Sequence, residues 1–183
     1  RLAEVLDGED GPSDPPGGID FLNPNFTLIC ARTGLGAGTS SIFYYSYDRC
    51  RSWEGPYKLP MFDQTAVAAR TDYIVESPEQ CLLFLTANKR DGKEGRGFCT
   101  RTQDGGRTFE FVSYIGDEPA GEKAFSIMPA SLKLPDGSIL CALRCCGDDT
   151  STWIDLYVSE DDAQTWQYLT RPVDFGPESR SGN

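Results

Sequence analysis

Ser46-Tyr47-Asp48-Arg49-Cys50-Arg51-Ser52-Trp53 is matched twice further along the chain. The matches are Thr102-Gln103-Asp104-Gly105-Gly106-Arg107-Thr108-Phe109 and Ser159-Glu160-Asp161-Asp162-Ala163-Gln164-Thr165-Trp166. Each octapeptide reads Ser/Thr-x-Asp-x-small-x-Ser/Thr-aromatic, and the aspartates stand 56 and 57 residues apart. One such stretch is weak evidence; three at near-equal spacing, each after an apolar run, define a repeat. The pattern has a mechanism. Asp at a turn accepts backbone N–H groups, the small residue takes a left-handed conformation, and the hydroxyl residues close the turn. The aromatic residue then opens the next strand and packs beneath the turn. Asp48, Asp104 and Asp161 are therefore expected to be structural rather than catalytic.

Outward from these turns the chain reads as short strands rich in β-branched and aromatic residues, punctuated by Gly, Pro and Asp. The expected strands are 26–31, 41–47 and a run near 57–59; then 66–75, 81–87, 97–101 and 108–115; then 127–133, 138–143, 152–158 and 165–169. Pro135-Asp136-Gly137 supplies a hairpin turn, since Pro presets one dihedral and Gly tolerates a positive one. No stretch carries a helical period. Four strands per repeat predict an all-β chain, a β-propeller with each octapeptide between the third and fourth strands of a blade. The blades are expected at about 21–62, 63–120 and 121–175, with a further blade starting from 176. Residues 1–20, acidic and rich in Gly and Pro, read as a linker or loop. Gly34-x-Gly36-x-Gly38 is followed by no helix, so it reads as a hairpin loop rather than a phosphate cradle. Three blades leave two sheet faces open, so the remaining blades of a ring are expected outside this chain.

Composition narrows the chemistry. The 183 residues hold 17 Lys and Arg against 28 Asp and Glu, a net charge of -11, which repels phosphate backbones and argues against a nucleic-acid partner. No apolar run approaches the roughly 20 residues that cross a bilayer, so no membrane insertion is expected. No charged-then-apolar leader follows Arg1. Histidine is absent, which removes Ser-His-Asp and Cys-His catalysis and His-ligated zinc from this segment. Its seven cysteines show no regular spacing, a poor disulfide framework. Cys30, Cys81 and Cys141 lie in apolar runs and read as small core residues. Cys145-Cys146 lacks the His or CxxC pattern of a thiol site. Asn25-Phe26-Thr27 is a glycosylation sequon, meaningful in a eukaryotic secreted protein.

The three octapeptides, with Ile127-Met128-Pro129-Ala130 and Leu134-Pro135-Asp136-Gly137, resemble the bacterial sialidase (neuraminidase) superfamily, whose turns are known as Asp boxes or BNR repeats. The resemblance covers about residues 26–170. It implies a six-bladed ring of which this chain supplies about three blades, and a glycoside hydrolase of the exo-α-sialidase type cleaving sialic acid or a related acidic sugar. It also implies secretion or a periplasmic location. Such enzymes clamp the sugar carboxylate with three arginines, use Asp as acid/base and a Tyr activated by Glu as nucleophile. Bidentate guanidinium contacts suit a carboxylate, and a neutral Tyr avoids the repulsion an anionic nucleophile would meet.

Carried over residue by residue, the resemblance assigns substrate binding to Arg144, at the end of Cys141-Ala142-Leu143-Arg144, and acid/base chemistry to Asp148 or Asp149 in the next loop. The family's arginine two residues before a proline is Ile127 here, before Pro129, which departs from the sialidase pattern. In Arg70-Thr71-Asp72-Tyr73, Arg70 can add to the clamp and Tyr73 can line the pocket, with an internal Arg70–Asp72 pairing as the structural alternative. Lys89, Arg90 and Arg96 lie in a charged, glycine-bearing stretch that reads as solvated. The Tyr/Glu pair has no match and is expected in later blades. No cofactor or metal is called for. The alternative is a non-catalytic Asp-box propeller that binds glycans or proteins, because these turns specify fold better than activity.

Overall fold

The computed structural model describes residues 11–34 and 38–176. Gly36 of the glycine-rich hairpin and the polar stretch 177–183 lie outside the described residues. The described chain is all-β, with no helix. Its strands are β1 (Thr27–Arg32), β2 (Ser41–Ser46), β3 (Glu54–Lys58), β4 (Val67–Val75), β5 (Cys81–Asn88), β6 (Glu94–Thr102), β7 (Glu110–Tyr114), β8 (Phe125–Lys133), β9 (Ile139–Cys146), β10 (Thr152–Ser159) and β11 (Gln167–Gly176).

The strands form antiparallel meanders. β1–β2–β3 make a three-stranded sheet; β4 to β7 and β8 to β11 make two four-stranded units. A single parallel bridge, Arg96 to Ser126, joins the latter two. In both four-stranded units the octapeptide turn connects the third strand to the fourth, as expected. In the first sheet it connects β2 to β3. Residues ahead of β1 brace this framework. Ser13 pairs with β3 through Ser13 N–H to Pro56 O at 3.1 Å and Lys58 N–H to Ser13 O at 2.9 Å. Ile19 N–H donates to Gly105 O at 2.9 Å, and Ile19 and Phe21 are buried.

The three turns share one hydrogen-bond pattern. Asp48 Oδ2 accepts the Ser52 hydroxyl, Asp104 Oδ2 that of Thr108 and Asp161 Oδ2 that of Thr165, each at 2.6 Å. The other oxygen accepts the backbone N–H of the same residue at 2.8–2.9 Å. It also accepts the hydroxyl of the residue opening the turn, Ser46, Thr102 or Ser159, at 2.8–3.0 Å. That opening hydroxyl in turn accepts the N–H four residues on, from Cys50, Gly106 or Ala163. Hydrogen bonds from Ser52 hold the Asp48 carboxyl far below the usual carboxylate range, and those from Thr165 lower Asp161. Two successive residues in each turn are left-handed: Arg49 and Cys50, Gly105 and Gly106, Asp162 and Ala163. The turn thus requires the conformation at two positions and takes glycine at both in the second copy alone.

Packing is sheet on sheet. Phe43, Leu28 and Cys30 of the first sheet meet Leu83, Leu85 and Phe98 of the second unit, with Phe109 of the second turn against Phe43 at a centroid distance of 5.6 Å. Leu82, Phe84 and Cys99 on the opposite face meet Ile139, Cys141 and Leu143 of the third unit. β5 is consequently buried on both faces, which explains its unbroken apolar run Cys81-Leu82-Leu83-Phe84-Leu85. The far face of the third unit is also apolar. It carries Leu132, Leu140 and Val158 in lateral register, with Leu156 opposite Ala142 in the next row, and Leu132 is 59% exposed.

An ionic cluster ties the second unit to the third. Arg101 grips Glu76 through Nε at 2.8 Å and Nη2 at 3.3 Å, Lys133 reaches Glu76 at 3.2 Å, and Arg101 also meets Asp162 at 2.9 Å. Glu76→Gln keeps the shape and one acceptor but removes the charge. A loss of about 1 kcal/mol is expected, because Arg101 retains Asp162; urea unfolding at low and high salt checks it, with the difference shrinking in salt.

Candidate functional site

The first strands of the second and third units carry matching irregularities. In β4, Ala69 pairs with Leu85 and Tyr73 with Leu83, so Arg70, Thr71 and Asp72 stand opposite Phe84 alone. In β8, Ile127 pairs with Arg144 and Ala130 with Ala142, so Met128 and Pro129 stand opposite Leu143, Met128 with φ of 56°. Bulges of this kind re-aim side chains. The bulged Arg70-Thr71-Asp72 of β4 thus corresponds in place to the bulged Met128-Pro129 of β8, with Ala69 and Ile127 the last paired residues ahead of each.

Each side chain of the β4 bulge has its own destination. Thr71 Oγ1 accepts Cys30 N–H at 3.0 Å, capping the edge of β1. The Tyr73 hydroxyl accepts Leu28 N–H on the same edge at 3.4 Å, and its ring meets Phe26 at 6.0 Å. Tyr73 therefore packs between the first two sheets instead of lining an open pocket, and burial raises its phenol. Asp72 turns toward the third unit, beside Ser131 and Cys141; burial pushes its carboxyl up to about 6, with Ser131 partly offsetting the shift. Arg70 is half-buried on the same bulge.

Arg144 lies on the exposed side of β9. Its guanidinium sits 5.6 Å from the Phe125 ring centroid, and Nη1 is 3.7 Å from Met128 Sδ. Among the described residues it makes no ion pair. Asp148 and Asp149 occupy the β9–β10 turn. Asp148 Oδ1 accepts Lys123 N–H at 2.8 Å, tying this turn to the β7–β8 connection. Asp149 Oδ1 accepts Ser151 Oγ–H at 2.6 Å and N–H at 3.0 Å, and these bonds lower its pKa. An acid so stabilised as its anion is a poor proton donor at neutral pH.

Two readings of the charged stretch change. Lys89 is buried, not solvated: Nζ donates to Gly121 O at 2.6 Å and pairs with Asp91 at 2.9 Å. Arg96 belongs to β6, its guanidinium 3.6 Å above the Tyr114 ring centroid and 3.5 Å from Glu118. Only Arg90 of the three projects into solvent. Cys145 and Cys146 are buried and unbridged; burial raises Cys145 to about 11, which keeps it a thiol.

The sequence reading did not single out Asp155, which is buried in β10 with Oδ2 on Trp153 Nε1 at 2.6 Å and Oδ1 on Arg171 Nε at 3.0 Å. Its signal was available: in Trp153-Ile154-Asp155-Leu156-Tyr157, strand alternation puts Asp155 on the same face as two aromatic residues. A buried carboxylate there requires partners. These groups border a cleft of about 700 Å³ between the β7–β8 connection and β10–β11.

No protein-family model matches the chain, and no curated protein matches its sequence. Solved structures do share its fold. A protein of unknown function from Dyadobacter fermentans aligns over 91% of this chain and 52% of its own, at 15% identity and a TM-score of 0.64. The α-L-arabinanase of Penicillium chrysogenum, solved with arabinobiose, aligns over 89% and 52%, at 15% identity and a TM-score of 0.59. A Hadza microbial sialidase aligns over 87% and 37%, at 15% identity and a TM-score of 0.57. The chain thus spans about half the length of the first two and less of the third. It has the sialidase-like propeller fold that such glycoside hydrolases share.

Proposed function

We propose that this chain supplies about three blades of a larger, six-bladed Asp-box propeller, and that the whole protein is a glycoside hydrolase of the exo-α-sialidase type acting on sialic acid or a related acidic sugar. The apolar far face of the third unit supports the additional blades, since a face bearing Leu132, Leu140, Leu156 and Val158 calls for a packing partner. The observation that carries the catalytic reading is the β4 bulge, which combines Arg70 with a carboxyl kept partly protonated near neutral pH at Asp72.

In this reading Arg144, without a carboxylate partner among the described residues, and Arg70 hold the sugar carboxylate. The proton donor is Asp72. Asp149, the acid expected from the sequence, is the weaker choice because Ser151 stabilises its anion; Asp148 holds the loop through Lys123 N–H. Tyr73 supports the bulge from behind, and the Tyr/Glu nucleophile comes from blades outside this chain.

A second reading, glycan binding without turnover, is favoured by Ile127, which stands where the family pattern has arginine. Hydrolysis of a fluorogenic α-sialoside and of an aryl α-L-arabinofuranoside by the complete protein separates the possibilities. Sialoside turnover with KM raised about tenfold in Arg144→Ala is expected, the loss of one exposed charge-assisted contact. Turnover of the arabinofuranoside alone would replace the acidic sugar. Binding without turnover of either would establish the second reading.

A further inference from the structure

The cleft beside β10 and β11 reaches β8 at Phe125 and Ser126, ahead of its bulge, and has a different chemistry from the β4 bulge. Trp153, Tyr157, Trp166 and Tyr168 contribute aromatic surface to it, and Tyr168 is 56% exposed. Tyr168 stands edge-on to Tyr157, with ring centroids 5.9 Å apart and planes at 80°. Trp166 is held by Nε1–H donation to Ser113 Oγ at 3.0 Å. The Trp153 Nε1–Asp155 bond and the Arg171 guanidinium, 4.2 Å above the Trp153 ring centroid, fix that indole in place. The aromatic groups are therefore preorganised by buried polar contacts, which lowers the entropic cost of holding a ligand.

The charges decide what the ligand is. Arg171, the basic residue of the lining, is neutralised by Asp155. On the β7–β8 connection Glu118 is engaged by Arg96, whereas Asp117 makes no hydrogen bond or ion pair among the described residues and lines the same cleft as Tyr157. An aromatic wall facing an unpaired carboxylate repels anionic sugars. It suits a neutral sugar ring, whose C–H face stacks on an aromatic side chain while a hydroxyl donates to the carboxylate.

We propose that this cleft is a second binding site for a neutral saccharide, with Tyr168 as the stacking platform and Asp117 as the hydroxyl acceptor. It does not depend on the hydrolase reading. The test is tryptophan fluorescence, since Trp153 and Trp166 line the cleft. The complete protein is titrated with lactose, cellobiose and arabinobiose, and in parallel with N-acetylneuraminic acid and choline.

Saturable quenching by at least one neutral disaccharide is expected. It should weaken about tenfold in Tyr168→Ala, as for loss of an aromatic contact worth roughly 1–1.5 kcal/mol. It should weaken also in Asp117→Asn, which preserves shape. Tyr168 and Asp117 are both exposed, so nearly unchanged melting curves are expected for their variants. Quenching by choline or N-acetylneuraminic acid alone, no saturable response to any neutral disaccharide, or a response untouched by Tyr168→Ala would each overturn the proposal.

Discussion

Gly105→Ala is expected to destabilise the fold by about 2–4 kcal/mol, the sum of left-handed strain near 1 kcal/mol and overpacking of 1–3 kcal/mol. Asp162→Gly, at the same place in the third turn, should cost no more than about 1 kcal/mol, because strain relief and lost chain restriction oppose each other and the Arg101–Asp162 pair it removes is largely exposed on the Asp162 side. The turn geometry alone does not explain the difference, since Arg49, Gly105 and Asp162 have φ of 60°, 67° and 61°. What sets Gly105 apart is its neighbour. A Cβ there would stand 2.8 Å from Gly18 N and 2.9 Å from Ile19 N, both backbone atoms. Ile19 also donates its N–H to Gly105 O at 2.9 Å, so the clash can be relieved only by withdrawing that segment and unseating Ile19 and Phe21 from the first core. Urea unfolding of both variants checks this, read as a shift in midpoint at constant slope. Equal, small losses in the two would mean that residues 17–21 do not brace the second turn.

The same pair shows what could be read from the sequence. The octapeptide turns were legible because their hydrogen bonds begin and end within eight residues. Most strands were legible because alternation and β-branched content are local. The strand expected near 57–59 begins earlier, at Glu54, because pairing with β2 through Glu54 opposite Tyr45 prevails over the turn preference of Gly55-Pro56. β11 runs on through Pro172 to Gly176, a placement open to Pro on an edge strand. Non-local approach was not legible. That Gly105 must be glycine depends on Gly18, and that Lys89 is buried depends on the carbonyl of Gly121. Arg171 meets Asp155 across neighbouring strands that share no local motif. The candidate site divides in the same way. The polar density of Arg70-Thr71-Asp72-Tyr73 drew attention to the right stretch, but only the bulge separates its roles: Thr71 and Tyr73 face the first sheet, and Asp72 faces the third unit.

Asp72→Asn is expected to stabilise the protein by about 2 kcal/mol at pH 7 and to have no such effect near pH 3.5. The folded-state value of about 6 lies above the ordinary 3.8 because burial disfavours the carboxylate. The folded protein therefore binds this proton more tightly than the unfolded chain does, and stability falls as pH rises from about 4 to about 6. Below that window both states are protonated and the term vanishes; above it the full penalty applies. A shift of two units corresponds to about 3 kcal/mol, reduced here to about 2 because the carboxyl is only half-buried and solvent screens it. Asp104 and Asp161, whose folded values are lowered, act with the opposite sign, losing stability as pH falls through the carboxylate range. They are common to both proteins, so the difference between variant and parent isolates Asp72. Cys141, the neighbouring thiol, is raised well above its ordinary value and stays neutral throughout. Urea midpoints of the two proteins from pH 3.5 to 8 provide the test: curves that converge at acid pH and separate above pH 5 are expected, and parallel curves would refute the assignment. A carboxyl that costs the fold about 2 kcal/mol at neutral pH is what a reactive group held for function looks like. The same variant should then lose hydrolysis while gaining stability, and retained turnover in a stabilised Asp72→Asn would move the proton donor elsewhere.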